Sequence, residues 1–304
     1  RPCIGCGVGC HDRGMLSGGV VQCAVNASLY KYEGPVYPQA EVSKKVIVVG
    51  AGPAGCEAAI TAKKCGHEVT LYEKRSIGGV LKEATVSDSK EDLGRLITYY
   101  ETQLKKNGID VVFEEANVDT IVKGGYDVAI LATGAKVRVP EVKGLDSKEA
   151  IYAMDFLDQG AKTDAQNIVV VGGGIVGAET ALILAEEQGK NVTITTRSPE
   201  FFVSGVMGIA YMTRLAMAGV KNCPKMQLIA IEDGKPVFVG PRGIETMDVD
   251  QVIISSGFIP TLNKLRDEIE AASDEIEVVG IGDCMAPRMV MDAVHEGYIA
   301  GINI

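Results

Sequence analysis

Residues 46–74, VIVVGAGPAGCEAAITAKKCGHEVTLYEK, leave a chain few ways to fold. The β-branched run 46–49 has the composition of a strand buried on both faces. It ends at Gly50, Gly52 and Gly55 in G-x-G-x-x-G spacing, and a helical stretch follows, opening at Pro53 and Ala54. Each glycine has its own task. Gly50 allows a tight turn, Gly52 lets the backbone approach a pyrophosphate, and Gly55 lets the helix pack closely on the strand. The helix start then aims free N–H groups and the positive end of its dipole at phosphate. A second strand, 69–72, leads to Glu73, at about the 20-residue distance where a carboxylate accepts from ribose hydroxyls. Together these parts specify a dinucleotide site on a parallel α/β sheet.

The module recurs at 167–198, NIVVVGGGIVGAETALILAEEQGKNVTITTRS, with Gly172, Gly174 and Gly177 in the same spacing. Thr196 stands where Glu73 stands in the first copy, and Arg197 follows. Loss of the carboxylate removes repulsion toward a ribose 2′-phosphate, and arginine supplies a bidentate partner, so NADPH is favoured over NADH. The competing reading of Arg197 is a solvated surface charge. Two further apolar runs end in glycine turns, 126–135 at Thr133-Gly134 and 252–260 around Gly257, and a late strand ends at Gly282-Asp283. Helical spacing is present at 90–107, with Leu93, Leu96, Ile97, Tyr100 and Leu104 on one side, and a helix is expected at 208–217. Strands are expected at 109–114, 227–232 and 236–239, and a helix after Pro287. The Gly78-Gly79 loop suits close approach of an extended ligand.

Ahead of the first module, Cys3, Cys6, Cys10 and Cys23 form a C-x2-C-x3-C-x12-C pattern. Three readings compete for these thiols: a [4Fe–4S] cluster, which takes four thiolates, a structural zinc site, and disulfides. His11 beside Cys10 reads as a loop side chain. Residues 24–43 read as an ordered linker. The formal net charge of −10, without clustered Lys and Arg, excludes nucleic acid as the expected partner. No stretch approaches the roughly 18 to 20 apolar residues of a membrane span, and no signal peptide opens the chain, so a cytoplasmic location is expected. At 304 residues there is room for two domains. A start at Arg1, directly in a cysteine motif, suggests a piece of a longer protein. Oligomeric state stays open.

The two dinucleotide motifs, the strands ending in Thr-Gly and Ser-Gly, and the late Gly-Asp resemble the two-domain flavin disulfide-reductase-like fold over 44–304. The fold class expected is therefore α/β, two Rossmann-like domains preceded by a cysteine-rich segment. The resemblance implies FAD at Gly50, Gly52, Pro53, Ala54, Gly55, Glu73, Lys74, Gly79, Ala132, Thr133, Gly134, Gly282 and Asp283, with the Val118 backbone at the adenine. It implies NADPH or NADH at Gly172, Gly174, Ile175, Gly177, Glu179, Thr196, Arg197 and Gly257. The implied order is an iron–sulfur segment and linker at 1–43, a discontinuous FAD-binding domain at 44–150 plus 250–304, and an NAD(P)H-binding domain at 151–249. Cys56, Cys65, Cys223 and Cys284 form no C-x2-C or C-x4-C redox pair, so disulfide reduction is not expected.

CIGCGVGC followed by QCAVN, together with GDCMAPRMVMDAVHEG, resembles the iron–sulfur members of the old yellow enzyme family, which include 2,4-dienoyl-CoA reductases, 2-enoate reductases and trimethylamine dehydrogenases. That resemblance implies a [4Fe–4S] cluster on Cys3, Cys6, Cys10 and Cys23. It also implies electron passage from NAD(P)H through FAD to the cluster, and on to an FMN-containing (β/α)8 barrel that these residues do not encode. Two alternatives remain: a scaffold holding ADP without flavin, and an electron-transfer subunit like the small subunit of glutamate synthase. No residue is assigned an acid–base role, and His67 and His295 read as packed or surface side chains.

Overall fold

The computed structural model describes residues 1–29, 36–201 and 205–304. Residues 30–35, inside the expected linker, and 202–204, inside the expected second domain, lie outside the described residues. The chain divides into two compact units, Arg1–Lys136 with Phe258–Ile304, and Val137–Gly257.

The first unit is built on a five-stranded sheet in the order Glu277–Gly280, Val128–Leu131, Lys45–Val49, Glu68–Tyr72, Asp110–Val112. Every pair is parallel, with Val46 opposite Val69 and Val128. Alternation along the central strand assigns its two faces. Val46 and Val48 join Tyr100, Leu104 and Ala300 under the helices Pro53–Lys64, Glu91–Lys106 and Val290–Asn303. Ile47 and Val49 join Ile121, Leu262 and Ile269 under Val118–Lys123 and Leu262–Ala272. Because both faces are covered, the strand reads as one apolar run rather than an alternating one. The helices Pro53–Lys64 and Val290–Asn303 lie unusually close. A Cβ on Gly297 would fall 2.3 Å from the Ala54 carbonyl oxygen, and one on Gly301 would fall 2.7 Å from the Thr61 Cβ.

The second unit repeats the plan. Its five parallel strands run Ala150–Tyr152, Gln251–Ile254, Asn167–Val171, Asn191–Thr196, Lys221–Pro224. An antiparallel sheet of Gln227–Glu232, Lys235–Gly240 and Gly243–Thr246 places Leu228, Ile231 and the fully buried Phe238 against Val169, Val252 and Ile254. Asp233 and Gly234, both at positive φ (49° and 78°), turn the first hairpin, where that twist matches the strands. One device recurs in both units. Asp127 accepts from Lys45 N (2.6 Å), and Asp250 accepts from Asn167 N (2.7 Å), each fastening the entry of the central strand.

Two boundaries depart from the sequence reading. The run 252–260 is not one strand. It breaks after Ile254, because Gly257 takes φ 86°, and resumes at Phe258–Pro260. The cysteine segment contains a π-helical turn, Val8–Leu16, which the glycine-rich sequence did not suggest. No helix among the described residues is long and apolar enough to cross a membrane.

Candidate functional site

At the first glycine turn, Gly50 takes φ 104° and donates to Tyr72 O (2.8 Å). A Cβ there would stand 2.3 Å from the Ala132 carbonyl oxygen, and one on Gly55 would stand 1.8 Å from the Gly50 carbonyl oxygen, so strand, turn and helix close only as glycine. Gly52 is different. It caps the helix Pro53–Lys64, and a Cβ on it meets nothing within 4 Å. The open face is the one toward which the helix N-terminus is directed.

Glu73 ends the second strand almost fully buried, at 9% exposure. One carboxylate oxygen accepts from Ala51 N and the other from Arg75 N, both at 2.7 Å. The carboxylate is thus fixed by backbone amides while each oxygen keeps a lone pair for a ribose hydroxyl. Gly78 N donates to Ala51 O (2.8 Å), folding the next loop back until a Cβ on Gly79 would lie 3.1 Å from the Gly52 Cα. Gly52 and Gly79 thus meet without side chains at the start of the helix Pro53–Lys64. Lys74 turns away, its ammonium held by Glu115 at 3.0 Å on the surface. Val118 is half-buried as the first residue of the helix Val118–Lys123, whose N-terminus Asn117 caps through Thr120 N.

Two expected contacts depend on residues that sequence reasoning missed. Thr261 donates its hydroxyl proton to Gly134 O (2.7 Å), so in its 2.9 Å contact with Thr133 it must accept. Thr133 is therefore oriented by a residue 128 positions away, with lone pairs left for a ligand. At Gly282-Asp283, Glu296 accepts from Gly282 N (2.7 Å) and pairs with Arg288, whose backbone N–H donates to Asp283 (3.0 Å). Burial pushes the Asp283 carboxyl above its ordinary range, with the Arg288 amide and guanidinium opposing.

The second turn repeats the geometry. A Cβ on Gly172 would lie 2.0 Å from Ser255 O and one on Gly177 would lie 1.9 Å from Gly172 O, while Gly174, capping Ile175–Leu182, again faces open space. Gly257 adds a positive-φ turn nearby in sequence to Ser255. Thr196 is buried and accepts from Ser198 N through its hydroxyl, and Arg197 is exposed. The structure adds two neighbours. Phe201 and Thr196 crowd the Cα of Gly173, where a Cβ would meet the ring at 2.4 Å. Lys225, at φ 59°, donates its backbone N–H to Ser198 O (3.0 Å), which holds the two stretches of backbone together. Glu179 accepts from the buried Tyr211 hydroxyl at 2.5 Å; burial first, then the Glu179 charge, pushes that phenol far up.

All eight cysteines are free thiols. Burial pushes Cys56, Cys65 and Cys284 up, which makes them poor nucleophiles and fits the absence of a redox pair in the sequence. Of the remaining five, Cys223 stands in the second unit and Cys3, Cys6, Cys10 and Cys23 lie in the N-terminal segment. Burial raises the Cys6 thiol first, the Val8 amide opposes, and the charges of Cys10, Cys23 and Cys3 raise it further. The turn folds back on itself through Gln22 N to Gly9 O (2.9 Å), so tightly that a Cβ on Gly9 would strike Gln22 O. Among the described residues no group of three or more His, Cys, Asp or Glu stands at metal-binding distance. In type and number, though not in their spacing in this structure, the thiols of Cys3, Cys6, Cys10 and Cys23 are the donors an iron–sulfur site uses. His11 is exposed, and His295, expected as a packed or surface side chain, donates Nε2–H to the Cys23 carbonyl (2.9 Å).

Comparison with known proteins bears on this arrangement. The model of the pyridine nucleotide-disulphide oxidoreductase family matches residues 44–294. A cinnamate reductase of Clostridium sporogenes is 38% identical over 311 residues, covering 100% of this chain and 46% of that protein. An NADH oxidase of Thermoanaerobacter brockii is 34% identical over 316 residues, covering 98% and 47%. Among solved structures, 2-naphthoyl-CoA reductase in complex with 2-naphthoyl-CoA superposes with a TM-score of 0.89 at 31% identity, over 99% of this chain and 46% of that one. The chain spans about half the length of the curated relatives it matches.

Proposed function

The chain belongs to the pyridine nucleotide-disulphide oxidoreductase family, and from that membership we propose that it is an NAD(P)H-dependent flavin oxidoreductase module that feeds electrons to an iron–sulfur group. The observation that carries this reading is the presence of two dinucleotide cradles of one construction with different ends. The first ends in the buried, amide-fixed Glu73, and the second in Thr196 with Arg197 beside it. A carboxylate on ribose hydroxyls suits the adenosine half of FAD, and a neutral residue beside an arginine suits NADPH, with NADH as the weaker ligand.

When bound, a flavin accepts the hydride of NAD(P)H and releases the two electrons singly. The chain's own residues position and shield. Gly52 and Gly79 would admit the pyrophosphate, Glu73 would hold the ribose, and Thr133, presented by Thr261, and Asp283, set by Glu296 and the Arg288 amide, would hold the flavin portion. Cys3, Cys6, Cys10 and Cys23 would hold a [4Fe–4S] cluster. Retention of thiols in this number suits a reducing compartment such as the cytoplasm. The half of the relatives that this chain does not span would supply the acceptor, an FMN-containing (β/α)8 barrel in the reading offered here, along with the substrate pocket.

Release of the bound nucleotide by denaturation, followed by chromatography, tests the first site. FAD in near-stoichiometric amount supports the proposal. ADP alone would reduce the module to a nucleotide-binding scaffold.

A further inference from the structure

The cysteine segment packs on the first unit through Ile4, Ala24 and Val25, and a guanidinium ties its two ends to that unit. Arg1 donates from Nη1 and Nη2 to both oxygens of Glu57 (2.9 and 2.6 Å), and Nη1 also donates to Val25 O (2.8 Å). Glu57 lies in the helix Pro53–Lys64, the helix that begins at the first glycine turn, and its side chain has no solvent exposure. Arg1 precedes Cys3 and Val25 follows Cys23, so one group draws together the two ends of the stretch that carries all four N-terminal thiols. The Arg1 guanidinium also lies over the Tyr99 ring, 5.8 Å from its centroid. A second tie, His295 to Cys23 O, comes from the helix Val290–Asn303.

A planar fork matched to a carboxylate is a directional contact, and a buried carboxylate without its partner is costly. An ordinary surface loop needs neither. We propose that Arg1 and Glu57 form a clasp that closes the four-cysteine loop and seats it on the helix of the first dinucleotide site. Glu57 is then a positioning residue for electron passage from that site to the thiol-held group. The inference rests on the function proposed above and adds the element that sets the distance between its two redox centres. Helix and loop move as one body while the clasp is shut. Electron transfer over a fixed gap needs that rigidity more than the fold does.

The test uses the whole chain with Glu57→Gln, which keeps the side-chain shape and removes the charge, and Glu57→Asp, which keeps the charge and withdraws it by one methylene. Iodoacetamide labelling of the metal-free protein, read by mass spectrometry, gives the first measurement. Labelling at Cys6 and Cys23 rises roughly fivefold or more in Glu57→Gln as the loop opens locally, less in Glu57→Asp, while the core thiols Cys56 and Cys284 stay protected in both. After reconstitution with iron and sulfide, electron paramagnetic resonance compares the signal reached with NADPH against that reached with dithionite. The ratio at a fixed short time falls roughly tenfold in Glu57→Gln, because a lengthened gap slows transfer, while flavin bleaching by NADPH persists. Parental labelling rates, core thiols opening in step with the loop, or an unchanged signal ratio would each overturn the clasp. If the parent chain takes up no iron, the reading of the cysteines fails, and labelling alone decides the clasp.

Discussion

An alanine at Gly52 adds a methyl group in open space, whereas one at Gly55 drives it into the Gly50 carbonyl oxygen, 1.8 Å away. Gly52 has φ −70° and ψ −178°, a conformation any residue adopts, so Gly52→Ala should leave the melting temperature of the nucleotide-free chain within about 2 °C. Its methyl group nevertheless occupies the face where a pyrophosphate meets the helix amides. Displacing one or two charge-assisted hydrogen bonds costs about 2–4 kcal/mol, or roughly 30- to 1000-fold in affinity. Gly55→Ala must instead push the helix back by about 1 Å, an overpacking cost of about 1–3 kcal/mol, which lowers the melting temperature by roughly 2–9 °C and weakens binding as well. Calorimetric titration of the nucleotide-free chain with ADP, paired with thermal melts, separates the two. The second site repeats the contrast at Gly174 and Gly177, where a Cβ on Gly177 would lie 1.9 Å from Gly172 O. If Gly52→Ala bound ADP as well as the parent, the first glycine turn would not be a pyrophosphate site, and the reasoning from open space would fail.

Three other outcomes follow from the same geometry. Thr261→Val removes the donor to Gly134 O and the acceptor for Thr133; flavin dissociation should speed up severalfold, with stability reduced by about 1 kcal/mol, as stopped-flow release and thermal melts would read. The Asp283 carboxyl, raised chiefly by burial, binds its proton more tightly folded than unfolded, so its contribution to stability is lost as pH climbs from the ordinary carboxyl range through the raised value. Ligand-free Asp283→Asn should therefore gain on the parent as pH rises above the ordinary carboxyl range, and an offset in melting temperature that is independent of pH would contradict this. Arg197→Met should weaken 2′,5′-ADP binding roughly tenfold or more while sparing 5′-AMP, measured by competition against NADPH.

Local chemistry was legible in the sequence and long-range support was not. The two glycine turns were readable because each demand, a positive φ or a missing Cβ, falls on a residue whose neighbours in sequence supply the context. Glu73 was readable for the same reason. The paired strand anchors Asp127 and Asp250 were not, since an acid before a strand carries no signal until its partner amide is placed beside it. Thr261 and Glu296 orient Thr133 and the Gly282 turn across contacts that no spacing rule records. Gly297 and Gly301, inside a helix, are explained by the close approach of the helix Pro53–Lys64, which sequence alone does not show. Arg1 and Glu57 stand 56 positions apart and only the fold pairs them.

The most direct measurement is an anaerobic visible spectrum of the purified chain during titration with NADPH, then NADH. Flavin bands at roughly 370 and 450 nm over a broad iron–sulfur shoulder, bleached by nicotinamide and by NADPH at the lower concentration, are the predicted result. A chain that binds nicotinamide nucleotides but shows neither flavin bands nor bleaching would contradict the account.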